Sequence, residues 1–286
     1  MKLRSALIKL FIGLTRKNKN ISDKTFVSWL YFISFGKFPD IDNPKTLNEH
    51  ICRIKISDKS YDLSSYADKV SVREYIKEKI GEDYLTPSLG VYTNPDDIPF
   101  DLLPTSFVMK CSHASGYNIL VKDKSKLDIK ETRATLKKWL ETNYYTVGRE
   151  KNYKNISPAV LIEEYISDFS SFKEYKIFCF GGKPKFIELS LYENGRRCAM
   201  LFDMSWDKIP ATFGYPLPQS FPEKPANLPE LVSVTETLSG DFEFVRVDLL
   251  SNGEKLLFGE LSFTPGGGLV PILPKKYDAL FGSYFK

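Results

Sequence analysis

The chain is poor in the residues that build metal centres and covalent catalytic sites. Its two histidines, His50 and His113, cannot complete the ligand spacing of a zinc site. The four cysteines are far apart in sequence and form no Cys-x-x-Cys pair: Cys52, Cys111, Cys179 and Cys198. We find no Ser-His-Asp or Cys-His arrangement for nucleophilic catalysis. The composition is typical of a reduced, cytoplasmic protein.

Strong charge and long apolar runs are also lacking. Forty basic against 36 acidic residues leave a net charge of +4, which is too small to indicate nucleic-acid binding but is compatible with anionic small molecules. The apolar stretch 26–35 is too short to cross a bilayer, so we expect no transmembrane segment. The chain has 286 residues, 21 Phe and 16 Tyr, so it can build one large core or two tightly joined ones.

Leucines recur at helical spacing near the N-terminus, at Leu3, Leu7, Leu10 and Leu14. They are surrounded by six basic residues, namely Lys2, Arg4, Lys9, Arg16, Lys17 and Lys19. This pattern predicts a basic amphipathic helix. It could lie on an anionic membrane surface or pack on the protein's own core.

The rest of the chain mixes helices with hairpins. Residues 1–60 indicate helices, with a capping box at Thr46 and Glu49. Further helices are expected at 66–80, 128–143 and 228–239. Strands are expected at 90–92, 106–111, 117–121, 159–165, 174–180, 184–191, 199–203, 243–250 and 255–263. This order predicts an α+β fold.

The C-terminal hairpin carries the clearest chemical signal. Asp248 closes one strand and Glu260 lies on the return strand, so the two carboxylates can face each other. Such a pair suits Mg²⁺, and Ser262 shares the face of Glu260 and can offer a hydroxyl ligand. Arg246 shares the face of Asp248 and can neutralise a transferring phosphoryl group. The alternative is an ordinary exposed hairpin with solvated carboxylates.

These residues resemble the metal- and phosphate-binding signature of the ATP-grasp superfamily. The match runs through Arg246-Val247-Asp248 and Glu260-Leu261-Ser262-Phe263-Thr264-Pro265-Gly266, with Ser262 where the superfamily usually has Asn. More narrowly, residues 40–286 resemble the TupA-like branch, which is found in polysaccharide gene clusters. The supporting motifs are Asn43–Glu49, Ala67–Lys69, Val72–Tyr75, Val108–Cys111 and Ser115–Asn118.

The resemblance implies an ATP-grasp fold in which two α+β subdomains clamp ATP, preceded by a helical region over residues 1–60. The catalytic region would be 61–286. It divides into a first part at 61–105, a small lid at 106–158 and a larger subdomain with the metal site at 159–286.

A strand ending in Lys110 precedes a loop of small residues, 111–116, which can place backbone N–H groups against phosphates. By the resemblance Lys110 contacts ATP and this loop closes over the triphosphate, with His113, Ser115 and Gly116 as contacts. Lys69 would be the first nucleotide-binding lysine. A structural histidine and a plain exposed lysine are the alternatives for His113 and Lys69.

The strand 159–166 ends in paired acids, and the resemblance makes it the adenine-binding segment. Backbone groups would read the adenine edge at Glu163, Glu164, Tyr165 and Ile166. Asp168 would hold the ribose, and Lys176 on the next strand would reach the β- or γ-phosphate. Without the resemblance, a core strand with a charged end is the better interpretation.

Charged and aromatic loop residues are candidates for binding an anionic acceptor sugar or an amino acid: Arg149, Glu150, Tyr153, Arg196 and Gly267. A solvated basic loop is the alternative. No internal repeat or low-complexity tract is present.

The predicted function is therefore an ATP- and Mg²⁺-dependent ligase that phosphorylates a carboxylate and couples it to an amine. The resemblance implies that a uronic-acid carboxylate of a sugar or glycan is joined to an amino acid or amine in bacterial surface polysaccharide or capsule synthesis. Peripheral contact with the inner membrane face would suit the N-terminal helix. Alternatives are a peptide-side-chain ligase and a catalytically inactive glycan-binding protein. A glycosyltransferase would need a nucleotide-sugar site.

Overall fold

The computed structural model describes residues 2–16, 18 and 20–286, and it leaves the side chains of Lys2, Leu3 and Ser5 undescribed. Two of the predicted basic residues, Lys17 and Lys19, lie outside the described residues. The helices are α1 Lys2–Thr15, α2 Asp23–Phe35, α3 Leu47–Ile56, α4 Ser64–Ala67, α5 Val72–Ile80, α6 Ile129–Leu140, α7 Tyr145–Gly148, α8 Leu228–Ser239 and α9 Lys276–Gly282.

The strands are β1 Ser88–Tyr92, β2 Phe107–Cys111, β3 Asn118–Val121, β4 Val160–Glu164, β5 Lys173–Phe180, β6 Lys183–Glu193, β7 Arg196–Asp203, β8 Lys208–Ile209, β9 Thr212–Phe213, β10 Phe244–Ser251, β11 Leu256–Ser262 and β12 Ile272–Leu273. Short 3₁₀ helices occupy Asp58–Leu63, Glu82–Tyr84, Pro95–Asp97, Phe100–Leu102, Lys124–Lys126, Lys151–Tyr153, Phe169–Ser171 and Pro265–Gly268. The predicted α+β class is confirmed.

The helix expected over 66–80 is two helices, because Asp68 interrupts it. One oxygen of the Asp68 carboxylate accepts a hydrogen bond from the Val70 N–H at 3.0 Å, and the other accepts one from the Ser71 hydroxyl at 2.6 Å. Such local side-chain bonds compete with helical backbone bonds. Lys69 therefore lies in a turn between α4 and α5 rather than inside a helix.

The larger sheet has six antiparallel strands in the order β11-β10-β5-β6-β7-β8. One face is apolar and packs on α5 and α8, through residues that include Ile177, Val247 and Leu231. The other face is aromatic at one end, around Phe178 and Phe186, and polar at the other. This polar half carries the candidate site.

The smaller sheet has four antiparallel strands in the order β1-β4-β2-β3 and packs on α6. Because β1 and β4 belong to it, the small unit spans strands from Ser88 to Glu164, and the expected lid at 106–158 covers only part of it. Strand pairing between distant segments has no local signature, so the sequence did not reveal it.

The N-terminal helices contact the C-terminal end of the chain through packing and hydrogen bonds. The capping box of α3 forms as predicted, with the Thr46 side chain bonded to the Glu49 N–H. Further along α3, the Asn48 N–H and side-chain amide both donate to the carboxylate of Asp278 in α9, at 3.1 Å. Lys55 is 1% exposed and donates to the Gly267 carbonyl at 3.0 Å. Helix α3 thus supports the loop Pro265–Gly268 that follows β11.

Gly268 should tolerate no side chain. Its φ is +69°, and an added Cβ would lie 2.7 Å from the Asn48 carbonyl oxygen and 2.8 Å from the Cys52 sulfur. We expect Gly268→Ala to lower the free energy of unfolding by about 2–4 kcal/mol, from backbone strain plus the clash. The matched control is Gly36→Ala, with φ +73° and no described atom within 4 Å of its Cβ. Equal losses in urea titrations of the two variants would contradict the steric argument.

Candidate active site

A row of charged side chains crosses the polar half of the larger sheet. Glu260, Asp248, Lys176 and Glu188 lie directly opposite one another on β11, β10, β5 and β6. Directly paired residues point to the same face, so four charges converge. The pairing of Glu260 with Asp248 depends on a bulge at Gly259, whose added Cβ would meet the Asp248 carbonyl oxygen at 2.9 Å.

Asp248 is the buried centre of this row. Arg246 donates to its two carboxylate oxygens from Nε and Nη2, both at 2.6 Å, and Lys176 Nζ donates at 2.8 Å. Burial alone would raise the pKa of Asp248, but these two cations hold it below its usual value. Burial alone would lower the pKa of Lys176, but the neighbouring Asp248 carboxylate raises it above its usual value. The group is ionised at neutral pH.

Glu260 and Ser262 complete the oxygen donors. The Glu260 side chain is 39% exposed and is 3.3 Å from Arg246 Nη2, and Ser262 lies opposite Arg246 on the neighbouring strand. Among the described residues, no three His, Cys, Asp or Glu side chains gather into a metal site. Two carboxylates and a hydroxyl do fit Mg²⁺, which typically takes one or two carboxylates together with water and substrate phosphates. The predicted ligands are therefore brought together.

Lys110 lies on the smaller sheet and is paired with Glu163, which is opposite Val108 on the neighbouring strand. Lys110 Nζ is 2.5 Å from Glu163 Oε2, and Arg73 donates to Oε1 at 2.8 Å. Arg73 also donates to the Thr86 carbonyl at 2.9 Å. Glu163 thus orients Lys110 through its side chain, and the expected backbone contact with adenine stays a prediction.

Lys69 connects the two sheets. Its Nζ donates to the Ala114 carbonyl of the small-residue loop at 2.5 Å, and burial lowers its pKa, while the nearby Glu260 charge opposes that shift. Lys110 is close enough to lower the same pKa. Lys69 therefore lies near the small-residue loop, Lys110 and Glu260. Its partial burial argues against a plain exposed lysine.

The small-residue loop lies beside aromatic side chains of the region 144–153. The Ser115 side chain lies near the Tyr144 hydroxyl, and Gly116 has a φ of +77°. Tyr144 packs edge-on against Tyr153, with ring centroids 5.2 Å apart. Burial raises the pKa of Tyr153 above its usual value, and the charges of Glu150 and Glu260 add to the shift. Tyr153 therefore borders the carboxylate site.

The expected adenine segment runs from the end of β4 towards β5. Glu164 and Asp168 are exposed, and Tyr165 and Ile166 are half-buried. These four residues therefore form an accessible stretch between the two sheets.

Three candidate residues make contacts away from this site. His113 is buried, and its Nε2 lies 3.1 Å from the Trp139 carbonyl and 3.2 Å from that of Thr142, so its ring faces the end of α6 rather than a phosphate. Arg149 contacts Asp23 at 3.4 Å and the Asn18 carbonyl at 3.1 Å, which holds the N-terminal helices. Arg196 lies exposed at the tip of the β6–β7 hairpin.

The residue beside Arg196 reaches the site, next to a buried glutamate that the sequence analysis does not predict. Arg197 is on the site face, where it donates to Ser190 at 2.7 Å and lies 3.5 Å from the buried Glu188. Burial raises the pKa of Glu188. Strand alternation around Lys176 could have identified Arg197 once the register was known.

The other substrate candidates lie by the loop Pro265–Gly268. Glu150 accepts a hydrogen bond from the Thr264 hydroxyl at 2.5 Å, and an added Cβ on Gly267 would lie 4.0 Å from Glu150 Oε1. The structure therefore brings Glu150, Tyr153 and Gly267 together beside Glu260.

Two sheets carrying lysines and a group of Arg, Asp and Glu side chains on one hairpin are features of the ATP-grasp class. This chain belongs to the family described as TupA-like ATPgrasp, whose model matches residues 49–286. The predicted ATP-grasp fold and family are confirmed.

Solved structures resemble the chain weakly. D-alanine–D-alanine ligase from Bacillus anthracis, complexed with ATP, is 20% identical, with a TM-score of 0.48 over 77% of this chain and 62% of that one. The Helicobacter pylori D-alanine–D-alanine ligase is 16% identical, with a TM-score of 0.43 over 76% and 59%. N5-carboxyaminoimidazole ribonucleotide synthetase from Thermus thermophilus is 11% identical, with a TM-score of 0.40 over 71% and 46%. The chain thus spans about three fifths of the ligases' length or less. A comparison with curated protein sequences gave no match.

Proposed function

We propose that this protein is an ATP-dependent, ADP-forming ligase that joins a carboxylate to an amine. The observation that carries the proposal is the ion-pair group of Arg246, Lys176 and Asp248 with Glu260 opposite, in a member of the TupA-like family. Phosphoryl transfer needs cations beside the transferring group and little covalent chemistry from the protein. The group supplies both cations on a rigid sheet.

The reaction proceeds in two displacements. An oxygen of the substrate carboxylate attacks the γ-phosphorus of ATP, and ADP leaves. The amine nitrogen then attacks the carbonyl carbon of the acyl phosphate, inorganic phosphate leaves, and the nitrogen loses a proton. Lys176 and Arg246 stabilise charge on the transferring group, while Lys69 and Lys110 hold the nucleotide phosphates. Mg²⁺, held by Asp248, Glu260 and Ser262, would neutralise phosphate charge.

The proposed substrates are a uronic-acid carboxylate of a sugar or glycan and an amino acid or amine. Two observations support these substrates. The chain belongs to the TupA-like family and resembles the branch that is found in polysaccharide gene clusters. In addition, Glu150, Tyr153 and Gly267 lie beside Glu260. The product would be an amide in a surface polysaccharide or capsule, made in the bacterial cytoplasm. No nucleic-acid partner is proposed, because the net charge is only +4.

The test measures the release of ADP when the protein is incubated with ATP, Mg²⁺, either glucuronate or galacturonate, and each member of a panel of amino acids and amines. We expect ADP formation that requires the carboxylate, and transfer of one ¹⁸O from a labelled carboxylate to inorganic phosphate. Activity on peptide carboxylates alone would favour the peptide-side-chain ligase. ATP or glycan binding without ADP release from any pair would favour a glycan-binding protein and overturn the proposal.

A further inference from the structure

Helix α1 has two apolar faces with different surroundings. Ile8, Phe11 and Ile12 are partly buried against the core around α2, and the Phe11 and Phe26 rings are 5.3 Å apart. The leucines on the neighbouring face, Leu7, Leu10 and Leu14, are 46%, 59% and 75% exposed. Packing on the protein's own core therefore leaves the leucine face uncovered.

Helix α2 and the residues after it expose aromatic side chains. Trp29, Phe32 and Phe38 are 45%, 38% and 53% exposed. They form a cluster, with ring centroids 5.7 Å apart for Trp29–Phe32, 5.4 Å for Trp29–Phe38 and 4.8 Å for Phe32–Phe38. Helices α1 and α2 pack on each other, and we call the three exposed leucines and the three exposed aromatics together the α1–α2 apolar surface. Exposed apolar groups on this scale mark interaction sites.

The charge on and directly after α1 has one sign. Residues 1–20 contain six Lys and Arg and no Asp or Glu. Arg4, Lys9 and Arg16 are exposed on α1 or directly after it. Among the described residues, none of the helices has the length and apolar character needed to cross a bilayer. A basic amphipathic helix with leucines on its apolar side, together with exposed tryptophan and phenylalanine on or after the next helix, is typical of the interfacial binding mode.

We propose that the α1–α2 apolar surface docks the protein on an anionic lipid bilayer. The leucines and aromatics enter the headgroup boundary, and Arg4, Lys9 and Arg16 attract the anionic lipid. A second copy of this chain fits less well, because it would bring an equally basic segment against this one.

The test is co-sedimentation of the full chain with vesicles, without nucleotide or substrate. We expect binding to phosphatidylglycerol–phosphatidylcholine vesicles that high salt weakens, and little binding to phosphatidylcholine alone. The triple variant Leu7→Gln, Leu10→Gln, Leu14→Gln should lower the partition coefficient by about tenfold or more. Glutamine and leucine have similar helix propensity, so α1 is retained.

The matched control is Leu102→Gln with Leu120→Gln, two leucines that are 84% and 56% exposed outside this surface. The control should bind vesicles like wild type. Absence of wild-type binding to anionic vesicles, or equal binding by the triple variant, would overturn the proposal. So would a concentration-dependent mass above 32.8 kDa that the triple variant abolishes, since a second copy would then cover the surface. Each outcome is independent of ligase turnover.

Discussion

Glu260→Gln is expected to reduce ADP formation by about a thousandfold while leaving the protein folded. The change removes the carboxylate charge that faces Asp248 across the hairpin and keeps the size of the side chain. Loss of a group that stabilises developing charge typically costs a hundred- to thousandfold in turnover, and loss of a metal ligand adds to this. The measurement is ADP release at saturating ATP, alongside calorimetric titration of ATP with Mg²⁺.

Stability separates this effect from simple misfolding. The Glu260 side chain is 39% exposed and contacts Arg246 Nη2 at 3.3 Å, so its ion pair contributes about 0–1 kcal/mol. The variant should therefore unfold in urea at nearly the wild-type midpoint. The control is Glu254→Gln, an exposed glutamate in the turn of the same hairpin, which should keep full activity. Undiminished turnover in Glu260→Gln would refute the assignment of the metal site.

Asp248→Asn, unlike Glu260→Gln, should lose much of its stability as well as its activity. Asparagine keeps the shape but leaves Arg246 and Lys176 buried without their main counter-charge. Breaking a buried ion pair on one side costs about 3–5 kcal/mol, and Glu174 limits the loss by remaining 2.7 Å from Lys176. Urea unfolding at pH 7 measures the difference from wild type.

The pH dependence gives this variant a second signature. Because pairing lowers the pKa of Asp248 below its unfolded value of about 3.9, its contribution is complete above that pH and disappears as the pH falls through the folded pKa. Wild type and Asp248→Asn should therefore converge in stability at strongly acid pH. The double variant Arg246→Met, Asp248→Leu should regain part of the loss, since it removes the unpaired guanidinium. A single variant as stable as wild type at pH 7 would mean that the ion-pair group does not form.

Local patterns predicted most of the elements and the centre of the site. The helix expected at 228–239 is α8 with the same bounds, and the C-terminal hairpin brings Asp248 opposite Glu260 as its spacing indicated. Hairpin partners are close in sequence, so side-chain alternation alone places them on one face. The glycine bulge that completes the pairing could not be read in this way.

Roles that depend on distant neighbours were less predictable. His113 and Arg149 are predicted as site residues from their residue type and their position in loops. In the structure, His113 contacts the end of α6, and Arg149 contacts the N-terminal segment. Glu163 faces Lys110 because β4 pairs with β2, a contact between segments some fifty residues apart. Arg73 reaches Glu163 from α5, ninety residues away in the sequence. The buried Lys55 reaches Gly267 only because α3 packs on the C-terminal loop.

The sequence by itself determined the family, the α+β class, the carboxylate hairpin and the basic amphipathic helix, because each depends on neighbours within a few turns or one hairpin. The tertiary structure alone decided which lysines approach the carboxylates, where the small sheet ends and which face of α1 is left exposed. Those outcomes follow from packing between segments that are far apart in the chain. This packing buries ionisable groups, which changes their pKa values, and it determines which charged side chains form ion pairs. Local residue patterns do not predict such contacts.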